Sequence, residues 1–156
     1  MKITFTEAIK IADIHQSRLV QSVEHLQSLF PLTPDKMQGI KEIDLLYLEM
    51  LTSRFAKLQD YIGSTLIDVF LDSLAENRLR LSMIDKLHLL EKFGVIEDSF
   101  AWIRIREIRN HLAHEYPLAP EITCDHLNKV FLCILDLLKF LENLKNYQNI
   151  ALGKTR

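Results

Sequence analysis

The sequence has few of the residues that build metal sites, phosphate-binding loops and disulfide frameworks. Its 156 residues include only four glycines and two cysteines. The glycines lie far apart, which excludes a Gly-rich loop of the kind that cradles phosphates. Cys124, His126 and Cys133 lack the paired spacing of a tetrahedral zinc site, and there is no His-Glu-x-x-His sequence. We therefore expect no metal, no cofactor and two reduced, largely buried thiols.

A strong charge imbalance and a membrane-spanning segment are also missing. The formal net charge is −2, so any binding of nucleic acid must come from a local basic patch. The first residues lack the apolar run of a signal peptide. The most apolar segment, residues 130–141, is interrupted by Asp136 and Lys139, which argues against a membrane span. These features favour a cytoplasmic protein that does not associate with membranes.

What the sequence does contain is apolar residues at helical spacing along nearly its whole length, without strand-like alternation or internal repeats. This pattern predicts an all-α protein, an antiparallel helical bundle of five or six helices. We expect a single domain over residues 1–148, followed by a frayed tail over residues 149–156.

Several residues indicate where the helices begin and bend. Thr4 with Glu7 and Ser82 with Asp85 have the spacing of capping boxes, which begin helices. Gly63 falls inside a long helical run and predicts a bend or close helix packing there. Helices are predicted over about residues 5–29, 40–75, 83–93, 98–116 and 121–147, with a short helical start at Pro34.

One stretch, Arg104 to Tyr116, differs from the rest because arginine, asparagine and histidine are concentrated in it. At about 100° per residue, a helix here has two faces. The face expected to point into the core carries Ala101, Ile105, Ile108 and Leu112. The opposite, polar face carries Arg106, Arg109, Asn110, Ala113 and His114. The small Ala113 near its middle leaves room for a ligand or a second chain, so this face is a candidate site.

An exposed basic turn near a helix C-terminus is the ordinary alternative, because Arg and His complement the helix dipole. Against it, Asn110 is a weak helix former with no capping role in mid-helix. Arginine binds phosphate oxygens in a fork, and imidazole transfers protons near neutral pH. These groups suit metal-free cleavage of RNA, which carries its own 2′-OH nucleophile. A single His114 cannot be base and acid in one step, so two copies across a two-fold axis are favoured.

The segment Arg109-Asn110-His111-Leu112-Ala113-His114-Glu115-Tyr116 resembles the signature of the HEPN-domain ribonucleases, which is Arg, four residues, His, any residue and Tyr. The resemblance is closest to the HepT-like toxins. Residues 89–96 and 106–110 are similar to that family's approach to the motif, and the helical pattern over residues 5–147 agrees with its bundle. The resemblance therefore covers nearly the whole chain.

The resemblance implies roles for individual residues and partners. Arg109 and His114 would be the catalytic pair of a metal-independent endoribonuclease, supported by Asn110 and Arg106. Two chains would form a homodimer in which both motifs face one cleft that takes RNA. The implied protein partner is a small MNT-type nucleotidyltransferase antitoxin. Tyr116 matches the tyrosine that such an antitoxin adenylylates to O-AMP-tyrosine.

Other readings stay open. Arg106 and His111 also have Arg-x4-His spacing, but Ala113 stands where that register needs its Tyr, so Arg109 with His114 is preferred. The chain is alternatively a non-catalytic helical subunit that binds a nucleotidyltransferase, or a plain structural dimer.

The remaining charged residues are given less specific roles. Further RNA contacts are expected from Arg104, and from Arg54 and Lys57 of the long helix. Four carboxylates are interpreted as solvated helix surface: Asp44, Glu49, Asp60 and Asp68.

Overall fold

The computed structural model describes residues 2–74, 81–112 and 120–153, with side chains as far as Tyr147. Within these residues the chain is helical and has no strand, which confirms the predicted all-α bundle. In chain order the elements are α1 (Phe5–Leu26), α2 (Pro34–Gln38), α3 (Glu42–Tyr61), a π-helical turn (Ile62–Leu66), α4 (Ile67–Ser73), α5 (Met83–Lys92), α6 (Ser99–His111) and α7 (Pro120–Gly153).

Two helices begin on the capping boxes that the sequence predicts. At α1 the Thr4 hydroxyl accepts from the backbone N–H of Glu7 at 3.2 Å, and the Glu7 carboxylate accepts from the backbone N–H of Thr4 at 2.8 Å. Ser82 and Asp85 repeat the arrangement at α5. Gly94, with φ of 74°, follows the end of α5 in the left-handed region that glycine adopts most easily.

The first helix is shorter than predicted, since α1 ends at Leu26 rather than near residue 29. Two carbonyls in the following connection accept from the Lys36 ammonium instead of from helical amides. Its Nζ lies 2.9 Å from the carbonyl oxygens of both Leu29 and Pro31. Spacing along the chain does not reveal a side chain that caps a loop in this way.

The last helix is longer than predicted and continues from Tyr147 to Gly153. Residues 148–153 contain no proline that would stop it. The segment expected as a frayed tail is thus helical backbone as far as Gly153, and residues 154–156 lie outside the described part of the chain. The fully buried side chains of α7 are Val130, Ile134, Leu137, Leu141 and Leu144.

The long helical run expected over residues 40–75 contains a π-helical turn at Ile62–Leu66. This is the place where Gly63 predicted a bend or close packing. Close packing is what occurs: a Cβ built on Gly63 would lie 3.2 Å from Cζ2 of Trp102 in α6. The missing side chain thus lets α6 approach the helix wall.

The core lies between α1, α3, α4, α6 and α7, and its largest fully buried side chains are Trp102, Phe55 and Phe70. Both cysteines are free and buried, as predicted. Burial raises the pKa of the Cys124 thiol, and it raises the pKa of Cys133 to about 12, so both stay protonated near neutral pH. None of the described helices combines the length and the apolarity that crossing a membrane requires.

Candidate active site

Helix α6 carries the polar stretch, and its start is fixed by side chains from its own cap and from α5. The Asp98 carboxylate accepts from the backbone N–H of Ala101 at 2.9 Å and caps the helix. The Glu91 carboxylate accepts from the Ser99 hydroxyl at 2.5 Å and also from the Ser99 backbone N–H. Both hydrogen bonds lower the pKa of Glu91, and the bond from the hydroxyl has the larger effect. The orientation of α6 is therefore set before the motif begins.

The buried face of α6 follows the predicted apolar arc, with one important addition. Ile105 is buried, and Ile108 and Leu112 pack against the core. The addition is Trp102, which is only 1% exposed and lies against Phe140 with ring centroids 4.9 Å apart. Trp102 is the most buried large side chain of α6, and its contact with Gly63 limits how closely α6 can approach.

Arg109, on the predicted polar face of α6, does not project freely into solvent. Its Nε donates to Oδ1 of Asp60 at 2.7 Å, and its Nη2 donates to Oδ2 at 2.8 Å. The Arg109 side chain is 27% exposed and the Asp60 side chain is 51% exposed. The hydrogen bonds that Arg109 donates to Asp60 raise the pKa of Arg109. This bidentate pair links α6 to α3 at the edge of the core.

Three of the four acidic residues interpreted as solvated surface form ion pairs, which the sequence did not indicate. Asp60 binds Arg109, Asp44 lies 2.8 Å from Nε2 of His25, and Asp68 lies 2.7 Å from the Lys86 ammonium. Each partner is distant in sequence, and helical spacing within one segment carries no sign of it.

An open cleft of about 580 Å³ lies between α3, the π-helical turn, α5 and α6. Two guanidinium groups, two amides and a carboxylate share this space, and both Arg106 and Asn110 are exposed. The lining residues are Gln59, Asp60, Gly63, Ser64, Met83, Trp102, Arg106, Arg109 and Asn110. The structure thus brings together three predicted site residues, Arg106, Arg109 and Asn110.

The π-helical turn forms one wall of this cleft through Gly63 and Ser64. A π-helical turn displaces the residues that follow it around the helix, and such turns occur frequently at functional sites. Here it stands opposite the motif helix. The sequence signal for this wall was Gly63 alone.

The residues of the alternative register, Arg106 and His111, do not line the same cleft. Arg106 lines the cleft, whereas His111 is absent from its lining. The His111 ring instead stacks on His126 of α7, with centroids 5.2 Å apart and planes 21° apart. Arg104 also points elsewhere, into a groove that it shares with Leu132 of α7.

Three predicted positions of the motif, Ala113, His114 and Tyr116, lie outside the described residues. Helix α6 itself ends at His111, with Leu112 as its C-cap. Across the described chain, no three His, Cys, Asp or Glu side chains are grouped as metal ligands would be.

Sequence reasoning missed two residues of the site, Asp60 and Trp102. Asp60 was one of several helix-surface carboxylates, and Trp102 was left out of the apolar arc although tryptophan is the largest side chain available to a core. Comparison of the chain with family models, with curated proteins and with solved structures finds no match.

Proposed function

We propose that this protein is a metal-independent endoribonuclease, similar to the HepT-like toxins of type II toxin–antitoxin pairs. The observation that carries the proposal is Arg109, which Asp60 holds at the wall of an open cleft. Arg106 and Asn110 line the same cleft. Guanidinium groups bind phosphate oxygens through paired N–H bonds, and an amide donates to the same oxygens. The cleft is therefore suited to a phosphodiester.

Asp60 positions Arg109 without using all of its hydrogen-bond donors. The carboxylate takes two of the five N–H groups of a guanidinium, so about three remain for substrate. Since Asp60 is half exposed, the pair itself contributes at most about 1 kcal/mol to stability. A phosphate can share Arg109 with Asp60, or displace the carboxylate at a small cost.

In the proposed reaction, the RNA 2′-OH attacks the adjacent phosphorus while the bond to the 5′ oxygen breaks. The products are a 2′,3′-cyclic phosphate and a free 5′-OH. One imidazole accepts the proton of the 2′-OH, and a second donates a proton to the leaving oxygen. His114 is the proposed source of both, one from each chain of a symmetric homodimer. Arg109 stabilises the charge that grows on the phosphate, an effect of about 10²–10³-fold.

The proposed setting is the cytoplasm, with an MNT-type nucleotidyltransferase as antitoxin. Tyr116 is the proposed site of adenylylation. A phosphate ester two residues beyond His114 would compete with substrate phosphate for Arg109. The roles of His114 and Tyr116 rest on the resemblance to the family's motif, because both residues lie outside the described part of the chain.

The catalytic assignment is tested by comparing His114→Ala with His111→Ala. The purified chain is expected to cleave single-stranded RNA in the presence of EDTA. His114→Ala is expected to lose at least about 10²-fold in rate, since proton transfer contributes about 10²–10⁴-fold. His111→Ala, which removes a histidine outside the cleft, is the matched control and is expected to stay near wild type. Circular dichroism verifies that both variants remain folded.

Full activity of His114→Ala would overturn the catalytic assignment. Cleavage that disappears with EDTA would overturn the metal-free mechanism instead. A large loss in His111→Ala, with His114→Ala active, would move the proton-transfer role to the other register.

Side chains on the other side of α6 favour a second function, a non-catalytic subunit that binds a nucleotidyltransferase. Phe100 of α6 is 69% exposed, and Leu132 and Leu135 of α7 are 76% and 74% exposed. Leu132 and Leu135 lie about one helical turn apart on α7, and exposed apolar side chains that lie together mark interaction sites. A pull-down with an MNT-type nucleotidyltransferase, run beside the ribonuclease assay, separates the two functions. Capture without cleavage supports the binding subunit, and capture abolished by Leu132→Asp locates the contact.

A further inference from the structure

A basic cluster, defined as His15, Arg54 and Lys57, lies where α1 packs against α3. Nη1 of Arg54 is 3.1 Å from Nδ1 of His15, and both side chains are partly buried. Lys57 is exposed one helical turn further along α3. Among the described residues, neither Arg54 nor Lys57 has a carboxylate partner. The cluster differs in this respect from Arg109, whose charge Asp60 compensates.

All the polar groups of this cluster are hydrogen-bond donors toward a ligand. Arginine only donates, so Nδ1 of His15 accepts and its Nε2 carries the proton. Burial first, and then the charges of Arg54 and Lys57, lower the pKa of His15 and keep the ring neutral. Such a set suits an anion, because its free groups are hydrogen-bond donors and no carboxylate of the described residues pairs with Arg54 or Lys57.

The Tyr61 ring packs beside this set, at the α1–α3 contact. Its hydroxyl is buried and has no hydrogen-bond partner among the described residues. Its ring centroid lies 6.4 Å from that of His15. Burial raises the pKa of Tyr61, so the hydroxyl keeps its proton. An acceptor oxygen bound at the cluster would meet arginine, lysine and imidazole donors.

The cluster precedes Asp60 along α3, and its residues are not among those that line the cleft. Arg54, Lys57 and Asp60 are spaced three residues apart, so Asp60 is turned about 120° around the helix from Arg54. A strand that contacts both the cluster and Arg109 would therefore pass partway around α3. The row ends at Asp60, which holds Arg109. The distance along the axis from Arg54 to Asp60 is about 9 Å, the length of about two to three stacked nucleotides.

We propose that His15, Arg54 and Lys57 form a second phosphate subsite, which binds the backbone of the RNA strand a few nucleotides from the phosphate at Arg109. The identity of the strand as substrate rests on the proposed function, whereas anion binding at the cluster does not. Positively charged grooves that follow a single strand are the usual means by which proteins bind such strands without sequence preference.

The test measures binding of a fluorescent single-stranded RNA to the full chain by anisotropy, over a range of salt concentrations. His114→Ala is used as the parent so that the RNA stays intact. Arg54→Gln with Lys57→Gln is expected to weaken binding about tenfold at low salt. The slope of log affinity against log salt is expected to fall by about 0.7 for the lost phosphate contact.

The matched control is Lys10→Gln with Lys41→Gln, which removes two positive charges from exposed positions away from the cluster. It is expected to leave both the affinity and the slope near the parent values. Lys57→Gln alone is also measured, because this exposed side chain can be changed without disturbing the α1–α3 contact.

An unchanged affinity and slope in both cluster variants would overturn the subsite, as would equal losses in the control. Loss of thermal stability with an unchanged salt slope would identify the Arg54–His15 contact as purely structural. If the cluster variants lose binding but the parent without the His114 change cleaves no RNA, the subsite stands and the proposed catalytic function fails.

Discussion

At the scale of single residues, the pairing of Arg109 with Asp60 divides the work of the two arginines in the cleft. Asp60 compensates the charge of Arg109 and fixes the direction of its guanidinium. Arg106 is exposed and has no carboxylate partner among the described residues. We therefore expect Arg106 to attract the strand and Arg109 to hold the reacting phosphate in a defined orientation.

This division predicts a specific result for Asp60→Asn. The change keeps the shape of the side chain but replaces one of the two acceptors that fix Arg109 by an amide. We expect kcat for RNA cleavage to fall about tenfold, because a misplaced group costs catalysis more than binding. KM is expected to stay level or fall, since the cleft becomes more positive. Steady-state kinetics with a defined RNA measures both constants.

Glu49→Gln is the matched control for Asp60→Asn, because it removes one exposed carboxylate from the same helix away from the cleft. It is expected to leave kcat unchanged. A wild-type kcat in Asp60→Asn would contradict the positioning role, and an equal fall in Glu49→Gln would point to a general charge effect.

The common location of three of the predicted residues could be inferred from the sequence because all three lie on one helix. Periodicity places Arg106, Arg109 and Asn110 near one another, and the structure puts all three in one cleft. Asp60 could not be found in this way. It lies 49 residues from Arg109, and only the packing of α6 on α3 brings the two together.

At the scale of elements, the π-helical turn and Trp102 determine the shape of the cleft. The turn interrupts the regular helix where α6 approaches most closely, and Gly63 provides the space that the Trp102 ring fills. Trp102 is also held from its other side by Phe140. The ring therefore has little freedom to move away from an added methyl group.

Gly63→Ala is expected to destabilise the fold, although alanine has the higher helix propensity. The new Cβ would lie 3.2 Å from Cζ2 of Trp102, a contact too tight for a buried ring. Overpacking costs typically about 1–3 kcal/mol, and the gain in propensity is at most about 1 kcal/mol. We expect the free energy of unfolding to fall by about 1–2 kcal/mol in urea denaturation.

Gly39→Ala serves as the comparison, because nothing lies within 4 Å of a Cβ at that position and its φ is −100°. It is expected to be neutral or slightly stabilising. The packing explanation is wrong if Gly63→Ala proves as stable as Gly39→Ala.

The elements themselves were predictable where local chemistry determines them. Capping boxes begin α1 and α5 where predicted, because the groups that satisfy the first amides are three residues apart. The connection after α1 is held by Lys36, which donates to two of its carbonyls from beyond it. The π-helical turn lies where Trp102 of another helix packs against Gly63. Helical periodicity does not reveal either contact.

At the scale of the whole molecule, α6 separates two surfaces of different character. The cleft with Arg106 and Arg109 lies on the α3 side, and a groove with Arg104 and the exposed Leu132 lies on the α7 side. The proposed homodimer would bring the two motifs together across the first surface. The apolar side chains of the second are then left for a different partner, which is where we expect the proposed antitoxin to bind.

The proposed composite cleft would make activity depend on both chains, and mixing subunits tests this dependence. If each cleft needs one neutral and one protonated His114, a dimer with a single His114→Ala chain is inactive. Equal amounts of wild-type and His114→Ala chains, exchanged to equilibrium, are then expected to retain about a quarter of the wild-type activity. If each chain acts alone, about half is expected. An equal mixture of wild-type and His111→Ala chains, which is expected to stay fully active, controls for exchange and dilution, and a linear loss across mixing ratios would contradict the shared cleft.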